Sequence, residues 1–397
     1  MDRIPTEVLL CILSHLDQRH LAQYAPVCRA FQILLEYKIF AKIIKRIDSV
    51  EKIEQFDALF HTIVASPRRR YILRHLQFNI WLPDEFSTKG MKETSVIRDE
   101  HFANVISRIF ISLGKWDNIT RGPDEKRRFR LSIRSVPTKP LGYGAVREYH
   151  RHVGFDQFLV LPSLQFVTHF RVQGINILPS TMSIILKALP YIEDLNWDLE
   201  NPRQIFNRLR ISVRESLAWV LLEADFSHLR ALTITFLDQE RLNYNWCPNN
   251  SVGADGIDRL SLAVNRILKL PNLVALDLQG VFILSPTIFS LDEKHENFSE
   301  SLKLVHVHLS KITPAGLRYF THKYPIGDFR YYPEPTTFDP FLIAMARGVA
   351  KMPALQSFRC CFKCAARISC DAPGQPTSRK SSFSLAEWKI QGRGAGS

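Results

Sequence analysis

The sequence predicts an α/β protein in which a small N-terminal unit of three helices precedes a longer domain of alternating strands and helices. In the first forty-odd residues, apolar side chains recur at the three- and four-residue spacing of helices. From about residue 155 onward, one apolar pattern recurs six times, with helical stretches between the copies. Because parallel strands need a crossover connection, this alternation predicts a parallel sheet. With 397 residues, 46% of them hydrophobic, the chain can form one large core or two domains.

The first helix is predicted over residues 5–16, and its apolar residues are too many for one buried face. Pro5 fits the first turn, where a missing N–H group is harmless. Val8 and Ile12 fall on one side of the helix, and three leucines fall nearer another. These leucines are Leu9, Leu13 and Leu16. A unit this small buries little surface by itself, so an exposed apolar set predicts a binding partner.

Two more helices complete the N-terminal unit, and helical spacing continues beyond it. Asp17 can cap a second short helix, which Pro26 interrupts. A third helix is predicted over residues 27–43, and the apolar spacing of a helix continues over residues 44–66.

The order and spacing of these N-terminal residues resemble the F-box motif. The matching run begins Ile4-Pro5-x-Glu7-Val8-Leu9 and continues through Ile12-Leu13, Leu16-Asp17 and Leu21 to Val27-Cys28-Arg29-x-Phe31. The family usually opens on Leu-Pro and commonly has Trp where this chain has Phe31, and both replacements keep the chemistry. The resemblance implies that the segment binds a Skp-type adaptor, which joins it to a cullin scaffold. The residues that match the adaptor-contacting motif are Ile4, Pro5, Leu9, Ile12, Leu13, Leu16, Leu21, Val27, Cys28 and Phe31.

A helical and basic connecting region is predicted after the F-box-like unit, which is assigned to residues 1–46. This region covers residues 47–155. Strands are predicted at 73–78 and at 129–133, where apolar and polar residues alternate. A helix is predicted over 101–113, and the polar stretches 83–96 and 135–152 are predicted as loops.

The pattern apolar-x-x-apolar-x-apolar predicts six strands in a domain assigned to residues 156–364. The copies are 167–172, 192–197, 229–234, 273–278, 304–309 and 355–360. Helices are predicted at 180–188, 213–223, 258–268, 314–323 and 342–351. This organisation resembles the irregular leucine-rich repeats that often follow an F-box, and it implies an irregular αβ solenoid. The copies start 25, 37, 44, 31 and 51 residues apart, whereas regular repeats run about 20–29 residues. A non-repeating α/β domain is therefore the alternative.

The predicted strands offer one candidate binding surface. Strand residues alternate between two faces, which separates an apolar inner set from a polar outer set. If the strands are parallel neighbours, the outer side chains form one surface, which is the usual binding site of solenoid folds. The candidate substrate-binding residues on it are Arg171, Asn196, Thr233, Asp277, His306 and His308.

The sequence gives little support for a metal site or a catalytic site. Cys361-x-x-Cys364 has the spacing of a zinc-ligand pair, with Cys370 nearby, but a structural zinc site needs two such pairs. A strand that runs into a loop explains these cysteines better, so no metal and no cofactor are expected. The sequence has no phosphate-binding loop and no nucleophile elbow. The F-box resemblance implies a receptor subunit that does no covalent chemistry itself, so the chain is expected not to be an enzyme. Its seven cysteines, an odd number, suit a reducing compartment such as the cytoplasm or the nucleus.

The net charge of +13 is concentrated in two places. Residues 61–155 hold eighteen basic and nine acidic side chains, and the tail from residue 363 holds six basic and two acidic ones. Such basicity attracts nucleic acid or acidic proteins, but no nucleic-acid motif accompanies it, so a solvated surface is the favoured interpretation. No apolar run of eighteen residues and no positive leader exist, so neither a membrane span nor a signal peptide is expected. The tail over residues 365–397 is expected to be disordered because it is rich in Gly, Pro, Ser and Arg.

Together with the F-box resemblance, these observations predict a substrate-recognition subunit of a Skp-cullin-F-box ubiquitin ligase. Its expected partners are a Skp-type adaptor, a cullin scaffold reached indirectly, and a protein substrate that the sequence does not name. A membrane partner and a nucleic-acid partner are not expected. Two alternatives stay open. One is an F-box scaffold or regulator outside a ligase, and the other is a nucleic-acid-associated factor that uses the basic segment 61–155.

Overall fold

The computed structural model describes eleven ranges of the chain, which form two compact units. The ranges are residues 4–17, 21–82, 91–117, 128–135, 153–155, 159–202, 207–237, 250–291, 298–321, 332–363 and 384–391. Unit 1 comprises Met1–Val146, Val153–Ile175 and Ala188–Ile192, and unit 2 comprises Arg147–His152, Asn176–Lys187 and Glu193–Ser397. Within the described ranges, no helix is both long and apolar enough to cross a membrane.

Unit 1 begins with a small helical core. Helix α1 covers Thr6–His15, a 3-10 helix covers Leu21–Tyr24, and helix α2 covers Arg29–Phe40. Five buried side chains form its apolar cluster, namely Leu9, Leu13, Leu21, Phe31 and Leu35. Cys28 caps α2, since its Sγ accepts a hydrogen bond from the backbone N–H of Phe31 at 3.4 Å.

The rest of unit 1 is a parallel sheet with helices packed against one face. The helices are α3 (Val50–Ala65), α4 (Pro67–Ile72) and α5 (Met91–Asp117). The strands are β1 (Lys42–Ile47), β2 (His75–Ile80), β3 (Phe129–Ser135) and β4 (Val167–Gln173). They pair in the order β1-β2-β3-β4, and all three pairings are parallel. Edge-to-face contacts of Phe56 with Phe78 and of Trp116 with Phe129 join α3 and α5 to the sheet.

Strand β1 corrects the prediction of continuous helix over residues 27–66. Ile43 and Ile47 are buried and Ile44 is exposed, which is the alternation of a strand. The four-residue spacing of Ile43 and Ile47 fits a helix equally well, so pairing with β2 decides between the two structures. The predicted strands at 73–78 and 129–133 are confirmed by β2 and β3, and α5 extends the predicted helix at both ends.

Unit 2 also alternates strands and helices. Its helices are α6 (Pro179–Lys187), α7 (Asn207–Glu223), α8 (Arg259–Leu268) and α9 (Pro335–Ala350). Its strands are β5 (Asp194–Glu200), β6 (Ala231–Leu237), β7 (Ala275–Phe282), β8 (Leu304–Leu309), β9 (Phe320–Thr321), β10 (Tyr332–Pro333), β11 (Ser357–Lys363) and β12 (Ser384–Gln391). Strands β5-β6-β7-β8-β11 pair in parallel, and β12 pairs antiparallel with β11. Strands β9 and β10 form a separate antiparallel pair.

The mixed α/β class with parallel strands is therefore confirmed, and a strand lies at each of the six predicted copies. The repeat-like solenoid itself stays a prediction, because the described connections differ from one another. Between β7 and β8, for example, the described residues hold only a 3-10 helix at Pro286–Phe289.

One prediction in unit 2 is wrong. The helix expected over residues 314–323 is replaced by a turn in which Gly316 has a φ of +79°. The N–H of Gly316 bonds to the carbonyl of Thr313 at 2.9 Å, and a left-handed residue of this kind ends a helix rather than continuing it. Within the tail assigned to residues 365–397, Ser384–Gln391 form β12, which pairs with the edge of β11. The expected disorder of the tail as a whole stays a prediction.

Candidate functional site

The N-terminal helices expose an apolar surface to solvent. Ile4, Val8, Ile12 and Val27 have exposed fractions between 38% and 53%. Val8 and Ile12 lie one helical turn apart on α1, so their side chains are neighbours. We call these four residues the N-terminal apolar surface. Full burial of an exposed aliphatic side chain is worth about 1.5–3 kcal/mol, and these side chains are already about half buried, so covering each of them adds about half of that.

The ten residues that match the adaptor-contacting motif divide between the helical core and the surface. Buried in the core are Leu9, Leu13, Leu21 and Phe31. Leu16 and Cys28 are partly buried against that core. Exposed are Ile4, Pro5, Ile12 and Val27. The motif therefore contains both residues that hold the helices together and residues that are free to meet a partner. Val8 was not in the motif set, although helical spacing places it beside Ile12.

Charged contacts fix the helical core to helix α4 of unit 1. Glu36 of α2 is buried and pairs with Arg68 at 3.4 Å and with Arg69 at 3.3 Å, both on α4. The guanidinium of Arg69 also lies over the ring of Phe40, 5.0 Å from its centroid. Only Ala41 separates α2 from β1, so the N-terminal apolar surface is carried on the same rigid framework as the sheet.

The sheet of unit 1 carries polar side chains on the face opposite its helices, which we call the unit 1 strand face. The pairing of β1 to β4 aligns its outward side chains in rows. The three rows are Lys42-His75-Arg130-His169, Ile44-Gln77-Ser132-Arg171 and Arg46-Asn79-Arg134-Gln173. Of the candidate substrate-binding residues, Arg171 lies here, and its side chain is exposed.

The electrostatic environment of the unit 1 strand face is strongly positive. The pKa of His75 is lowered to about 4, first by burial and then by the positive charges of Lys42, Arg130 and Arg171. Its Nε2 lies 2.9 Å from Ser132 Oγ, so the ring is held by a hydrogen bond within the face. His75 is therefore neutral near pH 7, and the charge of the face comes from lysine and arginine.

Unit 2 brings four of the remaining candidates into one row, which we call the unit 2 strand face. Asn196, Thr233, Asp277 and His306 occupy the same register on β5, β6, β7 and β8. His306 Nδ1 lies 3.7 Å from Asp277 Oδ1. His308 lies two residues further along β8, with its ring 5.7 Å from that of His306. The polar outer set predicted from the strand pattern is therefore present within this unit.

A cavity of about 520 Å³ lies beside α7 and α8 in unit 2. Its wall contains a buried ion pair between Arg214 and Asp258, and Ser261 donates a hydrogen bond to the same carboxylate. Burial lowers the pKa of Arg214, and the charge of Asp258 opposes that shift. Arg214 and Asp258 bind one another, so neither charge of this pair is free to bind a ligand.

The described cysteines of β11 are structural. Cys360 and Cys361 are buried, and burial raises the pKa of the Cys360 thiol to about 12, so it is a poor nucleophile and a poor metal ligand. Cys364 and Cys370, the other members of the weighed zinc pattern, lie outside the described residues. Among the residues that the structure describes, no three His, Cys, Asp or Glu side chains are grouped as a metal site would require.

Comparison with known proteins gives one match. Residues 1–42 match the model of the F-box-like family. No curated protein and no solved structure matches the chain. The matched range ends where α2 has ended and β1 begins, and it contains the whole N-terminal apolar surface.

Proposed function

Because residues 1–42 form an F-box-like domain, we propose that this F-box protein is the substrate-recognition subunit of a Skp-cullin-F-box ubiquitin ligase. F-box domains generally bind Skp-type adaptors. In the proposed complex, the adaptor joins the chain to a cullin scaffold, which recruits a ubiquitin-charged conjugating enzyme. The chain performs no covalent chemistry; it raises the effective concentration of target lysines near that enzyme. Its place of action is the cytoplasm, the nucleus or both.

The N-terminal apolar surface is the observation that carries the proposal. Ile12 and Val27 are exposed members of the F-box motif, and Val8 extends their surface along α1. In the free chain these side chains lie in water. Docking of an adaptor on these side chains would bury them, and burial of apolar surface favours association.

The polar strand faces are the proposed substrate-binding part. The unit 1 strand face contains Arg171, and the unit 2 strand face contains Asp277 and His306. Arg171 is exposed, whereas Asp277 and His306 are partly exposed. Polar side chains on a rigid sheet provide hydrogen-bonding groups at fixed positions, which suits recognition of a protein segment. On this proposal the repeat-like domain serves as the receptor, although its strand spacing is irregular.

Co-expression with a Skp-type adaptor tests the F-box role. The test variant is Val8→Asp with Ile12→Asp, which places charge on the exposed side of α1. Leu10→Asp is the matched control, because Leu10 is 52% exposed on the same helix but lies about 200° around it from Val8. We expect the double variant to lose the adaptor in a pull-down and the control to keep it. Both should retain the helical circular-dichroism signal. Normal adaptor binding by the double variant would contradict the proposal.

A scaffold or regulator outside a ligase is the alternative for the same adaptor-bound chain. The presence of cullin distinguishes the two roles. Recovery of cullin with the wild-type chain, and its loss together with the adaptor in the double variant, supports the ligase. Recovery of the adaptor without cullin supports the scaffold.

A further inference from the structure

Four cations on the unit 1 strand face lie on strands whose own outward positions include no acidic residue. Lys42, Arg130, Arg134 and Arg171 project from β1, β3 and β4, and all four are exposed. We call them the basic cluster. None of the three outward positions on each strand from β1 to β4 is Asp or Glu. Among the described residues, the ion pairs of unit 1 involve other side chains, such as Arg46 with Asp48 at 3.2 Å.

The register concentrates these cations around two points. Arg171 pairs with Ser132, which lies midway between Arg130 and Arg134 on β3, so three arginine positions surround one small residue. Lys42 and Arg130 flank His75 in the first row. The lowered pKa of His75 reflects the same arrangement, since three of the four cations contribute to it. Positive charges held this close repel one another, and an anion bound among them would relieve that repulsion.

The other outward residues favour a peptide over a nucleic acid. The outward positions of β1 to β4 contain no Phe, Tyr or Trp, so there is no stacking platform for bases. Gln77 and Asn79 lie among the cations and have carbonyl oxygens as well as amide N–H groups. Peptide groups need such acceptors for their N–H, whereas phosphates only accept hydrogen bonds. Four strands span about 15 Å, which about five residues of extended peptide can cross.

We propose that the basic cluster binds an acidic segment, rich in Asp and Glu, of the target protein. This inference rests on the proposed receptor function and specifies its substrate class. Each guanidinium can hold a carboxylate through two parallel hydrogen bonds. The polar amides beside it bind the backbone of the segment.

Fluorescence anisotropy with the full-length chain, with and without its adaptor, tests this inference. The probe is a labelled peptide of alternating Glu and Ser, about ten residues long so that it extends beyond the face. A Gln-Ser peptide and a single-stranded oligonucleotide of equal length are the comparison probes. Arg130→Gln with Arg171→Gln removes two charges from the basic cluster. Arg108→Gln with Lys115→Gln removes two charges from exposed positions on α5, on the helical side of the same unit.

We expect the acidic peptide to bind and the Gln-Ser peptide not to bind. The Arg130/Arg171 variant should weaken binding by at least about tenfold, since each lost charge-assisted hydrogen bond is strong, while the α5 variant should change it less than about twofold. If the first variant fails to fold, Lys42→Gln with Arg134→Gln removes the other two charges of the basic cluster and should weaken binding in the same way. Equal losses in both variants, tighter binding of the oligonucleotide, or no binding of the acidic peptide would each overturn the inference.

Adaptor binding in the same samples separates this inference from the proposed function. If the chain binds the adaptor but not the acidic peptide, the inference is overturned and the proposed function is not affected. A chain that binds the peptide but never the adaptor overturns the ligase role.

Discussion

At the scale of single residues, His75 shows how a polar side chain can be held neutral on a positive surface. It lies between Lys42 and Arg130 and bonds to Ser132 at 2.9 Å. Burial and these neighbouring charges disfavour the imidazolium, so the pKa falls from 6.5 to about 4. The proton therefore binds the unfolded chain more readily than the folded chain.

This difference predicts a pH dependence of folding stability. Above pH 6.5, His75 is neutral in both states and does not alter the balance. As the pH falls from 6.5 to about 4, the unfolded chain gains a proton that the folded chain does not, so stability declines. We expect His75→Gln to lose less stability than wild type over this range, measured by urea unfolding at a series of pH values. His101 remains in both proteins, and burial lowers its pKa too, so it provides the common background. Parallel curves for the two proteins would contradict the prediction.

Two glycines with positive φ give a residue-scale prediction in unit 2. Gly280 in β7 has a φ of +103°, and a Cβ there would overlap the backbone carbonyl of Phe236. Gly256 has a φ of +76°, but a Cβ there would meet open space. We expect Gly280→Ala to lower the free energy of unfolding by more than about 2 kcal/mol, since strain and a backbone clash add. Gly256→Ala should lower it by about 1–2 kcal/mol, the conformational cost alone. If denaturant titrations give the same loss of unfolding free energy for Gly280→Ala and Gly256→Ala, the backbone clash at Gly280 does not contribute.

At the scale of elements, the sequence predicted most strands and helices because their apolar periods were clear. Strands β4 to β8 and β11 all follow the repeated pattern, whose second and third apolar positions are buried in every copy. Strand β1 could not be predicted, since Ile43 and Ile47 satisfy a helical period as well as a strand period. The turn at Gly316 was missed because only its positive φ excludes the helix that the surrounding residues favour. A local sequence pattern does not identify the strand with which a segment pairs. That pairing decides whether an ambiguous segment such as β1 forms a strand or a helix.

The candidate sites were predictable to a similar degree. The F-box motif identified α1 and α2, but the division between the buried Leu13 and the exposed Ile12 required the structure. The polar face of unit 2 followed from strand alternation. The clustering of Lys42 with Arg130 on the unit 1 strand face did not, because the sequence predicts a helix at Lys42 and names no neighbour for the strand at Arg130. Only the register of β1 to β4 brings these charges together.

Strand β12 gives an element-scale prediction. It pairs with β11 along Ser357 to Lys363, and successive N–H groups of a strand point to opposite neighbours. Truncation before Ser384 should therefore leave alternate amides of β11 unprotected in hydrogen exchange, while those directed at β8 keep their protection. Truncation after Gln391, which leaves β12 intact, is the control. Unchanged protection in the shorter chain would show that β12 does not hold the edge of β11.

At the scale of the whole molecule, the F-box-like domain has no flexible connection to the sheet that follows it. Helix α2 ends at Phe40, and β1 starts two residues later. The carbonyl of Ala41 accepts hydrogen bonds from the N–H groups of Arg74 and His75, both at 3.1 Å, so the junction itself belongs to the sheet. The Glu36 pairs with α4 hold α2 from a second side. An adaptor bound to the helices would thus be held in one orientation relative to the unit 1 strand face.

This rigid junction predicts a loss of ubiquitin transfer without a loss of binding. A flexible Gly-Ser segment inserted between Phe40 and Ala41 leaves the N-terminal apolar surface and the basic cluster unchanged. Adaptor binding and substrate capture should therefore persist. Ubiquitin transfer should slow, because a flexible connection lowers the effective concentration of the target lysine at the charged enzyme. The same segment inserted after Val160, which is 89% exposed, should leave the rate near that of wild type. Reconstituted transfer assays compare the three chains. An unchanged rate with the junction insertion would mean that orientation by α2 and β1 has no part in the reaction.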